Sequence, residues 1–475
     1  VLPLQNGDRG GGAAPMVLRD PDHGGEVVYV NAYDRVVATR TDGTPVWDTP
    51  TGLGAAVNGD QSPVGLAWVP QADAVVALMR DGHVLLLDRR TGAPLLAAPL
   101  QLPGEPTPPQ PSTIPPSLVD TAQVLLQPLV QLSPAGGLLD LINVLLGGSS
   151  KVANNLSIDA RTGRLWIAAT ARDGEDGLVD GVSEYGAIYR MDVVRDAGGW
   201  TLTEACHHNF TGGSASTPTL GQNGTRVYLG DNVGALIAID AQTCDEVWSV
   251  PLAAQIFGSI AAAADGRELY AASAGGIFQV FDDGDHGRLG WTAALDVYDV
   301  PPALSGYGDM NLLLTGIGAN GLLIQAGAGL ISGGRALPVR TGIVHIDRRT
   351  GIPRGFADGL EESLGAMSTG ADGALCLPHA PLRRAFSVAL GLTTEPLLGG
   401  ISKWSSTRDD LLARDAACAA ADRAANAQHA ARTCLDSAVA DVSQVDALRT
   451  QMRAAAEAAV AHVALDDGTL RRLRR

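Results

Sequence analysis

Aromatic side chains are scarce in this chain. Six Phe, eight Tyr and seven Trp among 475 residues leave few flat faces for sugar rings, so a lectin-like binding surface has little to build on. Basic side chains are also short. The 34 Lys and Arg stand against 51 Asp and Glu, a net charge of −17, and a phosphate backbone demands the opposite sign, which excludes nucleic acid as a partner. The ten basic and ten acidic residues of 407–475 cancel, so the whole deficit lies upstream. No uninterrupted apolar run is long enough to cross a bilayer, so no transmembrane segment is expected. Neither a Gly-x-Ser-x-Gly elbow, a His-Glu-x-x-His helix nor a phosphate-binding glycine loop occurs. Residue 1 is Val, and the expectation is a processed mature chain.

Glycine is abundant, at 58 residues, and it punctuates a repeated phrase. Leu236 to Trp248 is the clearest copy: an apolar run ending at Asp240, a turn through Thr243, then a second strand ending at Trp248. Val84 to Gly92 and Ile343 to Gly351 repeat it, and Val36 to Trp47 and Phe278 to Trp291 are degraded versions. Asp accepts hydrogen bonds from turn amides, and Gly takes the positive φ that a bulged hairpin needs. Upstream of each phrase lies another hairpin, such as Ile158 to Thr170, Leu220 to Gly230 and Ala264 to Ser273. Two hairpins make a four-stranded unit of roughly 40–50 residues, the size of a propeller blade. Seven such units lie near 13–50, 60–100, 152–210, 214–253, 256–297, 303–358 and 363–405.

The Ala-x-Asp-x-x-Thr-Gly-x-x-x-Trp phrase resembles the repeat of the PQQ-like, or quinoprotein, β-propeller superfamily over about 13–405. The expectation is an all-β, seven-bladed propeller of four-stranded blades, with six or eight blades as alternatives. The superfamily holds PQQ-dependent alcohol dehydrogenases and the non-enzymatic outer-membrane assembly propeller BamB, and this chain looks nearer to the latter. The dehydrogenases usually carry adjacent cysteines, which are missing here, and their calcium ligands and catalytic Asp match no motif. No catalytic or cofactor-binding residue is carried across. The resemblance also implies export: periplasm, cell surface or outside.

Two segments depart from a plain propeller, and a domain plan follows: an N-terminal extension at 1–12, the propeller at 13–405, an insert within it at 101–150, and a C-terminal segment at 406–475. The insert opens with seven prolines between Gln101 and Pro116, and from 117 to 147 only Asp120 and Asp140 are charged. Its apolar residues fall at helical spacing, broken by Pro128 and Pro134. Leu118, Leu125, Leu126 and Leu129, with Leu138, Leu141, Ile142 and Leu145, are the candidate partner-binding residues, since so apolar a surface needs a cover. The C-terminal segment is rich in Ala, has helix-start signals at Ser406 and Asp441, and reads as a helical hairpin ending in the basic tail Arg471 to Arg475.

Five cysteines suit an oxidising compartment. Cys206 follows a strand of the third unit and Cys244 replaces the turn Gly of the fourth, so neighbouring blades would bring them together as one disulfide. Cys418 and Cys434 would lie roughly 24 Å apart on an unbroken helix and pair only if it turns back near Asn426. Asp173, Glu175, Asp176 and Asp180 form an acidic, glycine-containing loop, the candidate metal site, with calcium as the ion that takes such oxygens. Its spacing is not that of an EF-hand. The reading these features favour is a non-enzymatic, exported scaffold or subunit of a cell-envelope or extracellular protein assembly. The alternative is a quinoprotein-like oxidoreductase or a calcium-dependent enzyme working in the central funnel.

Overall fold

The computed structural model describes residues 15–404 apart from 109–148, 294–306, 359–367, 370–374, 380–399 and short breaks at 21, 23, 33–34, 41–42, 54–62, 222–223, 253–254, 264, 274–275, 318–320 and 333–334. The extension 1–12, the candidate residues Leu118 to Leu145 of the insert, and the segment 406–475 with Cys418 and Cys434 lie outside the described residues.

The described chain is almost wholly strand, with one helical turn at Pro70–Ala72. The first sheet holds β1 (Met16–Arg19), β2 (Glu26–Ala32), β3 (Arg35–Arg40) and β4 (Pro45–Pro50). The second holds β5 (Pro63–Val69), β6 (Ala74–Met79), β7 (His83–Asp88) and β8 (Leu100–Gln101). The third holds β9 (Ser157–Asp159), β10 (Arg164–Thr170), β11 (Gly186–Asp196) and β12 (Gly199–Phe210). After β13 (Ala215–Thr217) comes the fourth, β14 (Thr219–Gly221), β15 (Arg226–Gly230), β16 (Ala235–Asp240) and β17 (Glu246–Pro251). After β18 (Phe257–Ser259) comes the fifth, β19 (Ala261–Ala262), β20 (Glu268–Ser273), β21 (Gly276–Asp282) and β22 (Gly287–Ala293). The sixth is β23 (Tyr307–Ile317), β24 (Gly321–Ser332), β25 (Arg335–Asp347) and β26 (Pro353–Asp358), and β27 (Ser368–Thr369), β28 (Leu375–His379) and β29 (Gly400–Trp404) form a three-stranded sheet.

Within every sheet, strands consecutive in sequence pair antiparallel. The first strands of successive sheets lie side by side: β5 by β9, β9 by β14, β14 by β19 and β19 by β23. Sheets radiating from a common axis bring their innermost strands together in this way, which is the β-propeller arrangement. β13 and β18 pair parallel, Ala215 opposite Phe257, and tie the entrances of the fourth and fifth sheets.

The middle strands explain why the sequence is so apolar there. Side chains alternate across a strand, and here both faces are covered. Ala74, Val76 and Leu78 of β6 join a cluster with Leu165, Ile167 and Ala169 of β10. Val75, Ala77 and Met79 point the other way and pack with Val36 and Ala38 of β3. Trp166 and Ala168 of β10 then meet Val227 and Leu229 of β15. Leu236 and Ala238 meet Leu269 and Ala271, and Tyr270 and Ala272 meet Ile324 and Val344. Each of the five clusters fills the space between two consecutive sheets, and full burial of one such side chain is worth roughly 1.5–3 kcal/mol.

The outer edges are fastened by tryptophan. Trp47 of β4 donates from Nε1 to the Arg89 carbonyl at 3.0 Å, Trp248 of β17 to Asp282 Oδ1 at 3.2 Å, and Trp291 of β22 to the Arg348 carbonyl at 2.9 Å. In each case the acceptor lies at the hairpin between the third and fourth strands of the next sheet. A tyrosine backs each indole: Tyr29, Tyr228 and Tyr270 stand 5.8, 5.9 and 5.7 Å from Trp47, Trp248 and Trp291 between ring centres. The receiving turn is built by its Asp. Asp88 Oδ1 accepts from the Arg90 and Thr91 amides, and the Gly92 amide donates to the Asp88 carbonyl at 2.8 Å. Gly92 has φ +72°, and a Cβ there would sit 2.7 Å from two ring carbons of Trp47. Between the second and third sheets, Leu95 and Leu96 pack instead.

Trp47→Ala is expected to cost about 3–5 kcal/mol in denaturant unfolding. Gly92→Ala is also expected to destabilise, and to cost less in the Trp47→Ala background, because the added methyl then meets no indole. Strictly additive effects would show that the two residues do not form one joint.

Candidate interaction surface

Loop 171–185 joins β10 to β11, and its acidic residues organise the loop itself. Asp173 Oδ1 accepts from the Asp180 and Gly181 amides at 3.0 and 3.2 Å. Asp176 accepts from the Leu178 amide at 3.0 Å through Oδ1 and from the Glu184 amide at 3.2 Å through Oδ2. Asp180 Oδ1 accepts from the Val182 amide at 3.2 Å. Gly174, Gly177 and Gly181 take φ of +86°, +93° and +77° at the bends, where a side chain would be strained. The Leu178 amide holds the Asp176 carboxyl below its ordinary pKa, while hydrogen bonding to Asp176 raises that of Glu184.

One end of the loop is pinned to the third sheet. Glu175 Oε2 accepts from the Arg172 amide at 3.0 Å, and its Oε1 stands 3.1 Å from His207 Nε2. His207 Nδ1 stands 2.8 Å from Glu204 Oε1, whose other oxygen accepts from Arg172 Nη2 at 2.5 Å. The His207 ring stacks on Tyr189, 5.5 Å between centres. Burial pushes the Glu175 carboxyl up, but the Arg172 amide, Asn209 and His207 together outweigh it, and its pKa lies below the ordinary value.

The four candidate metal ligands therefore share a loop without converging on one point. Their oxygens face mainly backbone amides, with His207 and Asn209 against Glu175 and the Glu184 carboxyl against Asp176 as the side-chain contacts. Among the described residues no group of three or more His, Cys, Asp or Glu is placed to hold a metal. His207 and His208 face apart, as adjacent strand residues should: His208 Nε2 lies 3.5 Å from Glu246 Oε2 of the fourth sheet. The Glu204–His207 pairing was not legible in the sequence. A three-residue separation places side chains on opposite faces of a regular strand, but the register shifts here, Arg190 opposite Cys206 and Met191 opposite Glu204. The extra residue restores a common face.

The loop meets the insert at its root. The Glu105 amide donates to the Ala171 carbonyl at 2.9 Å, and the Ser183 amide to the Pro106 carbonyl at 3.1 Å. The Thr107 amide donates to the Ser150 carbonyl, and the Ser150 amide to Thr107 Oγ1 at 3.1 Å. Thr107 and Ser150, on either side of 109–148 in the sequence, are thus hydrogen-bonded to each other beside the acidic loop. At the loop's tip Leu178 is 55 % exposed and Val179 83 % exposed. Apolar groups so exposed on a loop held by so many hydrogen bonds gain nothing from folding alone. An open cleft of about 490 Å³ lies elsewhere, lined by Leu18, Arg19, Asp20, Gly24, Trp68 and Arg89. Arg89 there is already spent on Asp73 and the Arg19 carbonyl.

The expected pairing of the first two cysteines is present. Cys206 lies within β12 rather than after it and is bonded to Cys244, their Cα atoms 5.9 Å apart. Among the described residues no helix is long and apolar enough to cross a membrane.

A family model described as outer membrane protein assembly factor BamB matches residues 156–351, from the third sheet into the sixth. The resemblance read from the repeats holds over that stretch. No curated protein sequence is significantly similar to the chain. Among solved structures, the chain is similar to the Cps50 (Swd1) β-propeller domain of Myceliophteria thermophila, at 10 % identity over 78 % of this chain and 95 % of that one, with a TM-score of 0.44. It is similar to a chain of the mitotic checkpoint complex, at 12 % identity over 79 % and 91 %, TM-score 0.45. It is also similar to BamB from Moraxella catarrhalis, at 14 % identity over 77 % and 92 %, TM-score 0.38.

His207→Ala is expected to speed limited proteolysis between Asp173 and Glu184 by about tenfold, while global stability changes by no more than about 1.5 kcal/mol, the usual net worth of a hydrogen bond. Unchanged cleavage would mean that the loop is held by its own turns alone.

Proposed function

We propose that the protein is a non-enzymatic propeller scaffold that holds other proteins of a cell-envelope or extracellular assembly. The docking face would be the one carrying loop 171–185 and the root of the insert. The observation that carries this reading is the exposed Leu178–Val179 tip on a loop fixed by carboxylate–amide bonds beside that root. A fixed apolar tip loses little conformational entropy when a partner covers it, which favours association. The leucine-rich stretch from Leu118 to Leu145 is attached at the same root, so we assign it to the same docking face.

The family model over 156–351, described as an outer membrane protein assembly factor, supports an assembly role in the envelope. The Cys206–Cys244 bridge suits the periplasm, the cell surface or the outside, where disulfides persist. We take the ring to have seven blades, the last built around β27–β29.

Two variants test the reading: Leu178→Asp combined with Val179→Asp, and deletion of 109–148. Each is expected to keep the circular dichroism and exchange protection of the sheets. Each is also expected to lose, in co-purification from native membrane and secreted fractions, the proteins that wild type retains. Folded variants that keep every partner would contradict the assignment of this face.

A further inference from the structure

The Cys206–Cys244 bridge occupies the position that a tryptophan and a glycine occupy at the first–second and fifth–sixth seams, where Trp47 meets Gly92 and Trp291 meets Gly351. In the first sheet, Trp47 pairs with Ala38 immediately before the register shift between Ala38 and Thr39. In the fourth, Trp248 pairs with Ala238 immediately before the shift between Ala238 and Ile239. In the third, the residue at that point is Cys206, paired with Arg190 immediately before the shift between Arg190 and Met191. On the receiving side, Gly92 and Gly351 lie four residues after Asp88 and Asp347. They have φ of +72° and +71°, and their amides donate to those aspartate carbonyls at 2.8 and 2.9 Å. Cys244 stands four residues after Asp240, has φ +65°, and its amide donates to the Asp240 carbonyl at 2.9 Å. A non-glycine residue in this left-handed conformation is uncommon, so a turn built for glycine carries a cysteine here.

We propose that the disulfide is a covalent stand-in for the tryptophan-on-glycine joint, which makes the seam between the third and fourth sheets the redox-sensitive seam of the propeller. Trp47, Trp248 and Trp291 fasten their seams by packing and a hydrogen bond that no reductant touches. At the third–fourth seam the corresponding joint exists only while the S–S bond does. A small dithiol can open it. Its thiolate attacks Sγ of Cys206, which is half-buried, rather than that of Cys244, which is 2 % exposed. The S–S bond breaks and Cys244 leaves as a thiolate that takes a proton. The second thiolate of the reductant then attacks the mixed disulfide and releases Cys206, which takes another proton. Two electrons and two protons pass to the protein, and the reductant ends as a cyclic disulfide. Arg190, which donates to the Ala241 and Gln242 carbonyls at 3.4 and 2.8 Å, keeps the turn within reach. Reduction therefore loosens the outer edge without parting the sheets. The inference rests on register and turn geometry and stands whether or not the proposed scaffold role is right.

The test is hydrogen exchange of the full chain with and without dithiothreitol. In the reductant, amides of 203–210 and 239–246 are expected to exchange about tenfold faster or more, given what a native disulfide contributes. The first–second seam is expected to keep its protection within about twofold. The Cys206→Trp, Cys244→Gly double variant restores the joint, and its exchange in these segments is expected to ignore dithiothreitol. Unchanged exchange in reduced wild type would overturn the redox dependence. A double variant that fails to fold, or that responds to dithiothreitol as wild type does, would overturn the equivalence.

Discussion

Middle strands such as β6 and β10 are buried on both faces, and the rest of the structure follows from that constraint. A sheet with two apolar faces cannot stop at one neighbour; each face needs its own. β6 shows the arithmetic in six residues, with Ala74, Val76 and Leu78 serving one seam and Val75, Ala77 and Met79 the other. The same division recurs in β10, β15, β16 and β20. Radial stacking satisfies it, since every sheet then sits between two others. The spaces between sheets are filled mainly by Val, Leu, Ile and Ala, with Trp166 the one tryptophan in the clusters from a middle strand, while Trp47, Trp248 and Trp291 sit at outer edges, where each closes the gap to the next turn.

Those edges are where the repeat carries information. The Asp-x-x-Thr-Gly phrase makes a turn whose glycine leaves space for an incoming indole, and the Trp that ends one unit fills the space offered by the next. Sequence alone shows both halves of this joint because they are repeated, so the positions of the sheets were legible at the level of units. Register was not. The shifts beside Trp47, Cys206 and Trp248 add one residue to a strand, and no residue type announces them. Cys244 in place of a turn glycine was a visible signal. That Cys206 fills the tryptophan's place became evident only once the register was known.

The candidate site was half legible for a related reason. The acidic loop stood out by composition, and its carboxylates suggested an ion. In the structure they receive backbone amides, which a short glycine-containing loop must satisfy in some way. What the composition hid was the position of the loop, bonded to the root of the insert through Glu105, Pro106 and Ser183, and its apolar tip. A contact of that kind joins residues more than 60 positions apart, and no local pattern encodes it. The root of the insert, the acidic loop and its exposed tip thus lie together, built on a body whose other described large apolar groups are mostly turned inward.

The most direct test of mutual burial is a pair of adjacent truncations in β6, Leu78→Ala and Met79→Ala, compared by native-state hydrogen exchange. Both side chains are 0 % exposed, and each loss is expected to cost about 2–5 kcal/mol. Two-sided burial predicts that Leu78→Ala raises exchange in β10 and spares β3, while Met79→Ala raises exchange in β3 and spares β10. If both substitutions loosened the same neighbour, or neither distinguished between the two, sheets buried by their neighbours on either side would not describe this protein.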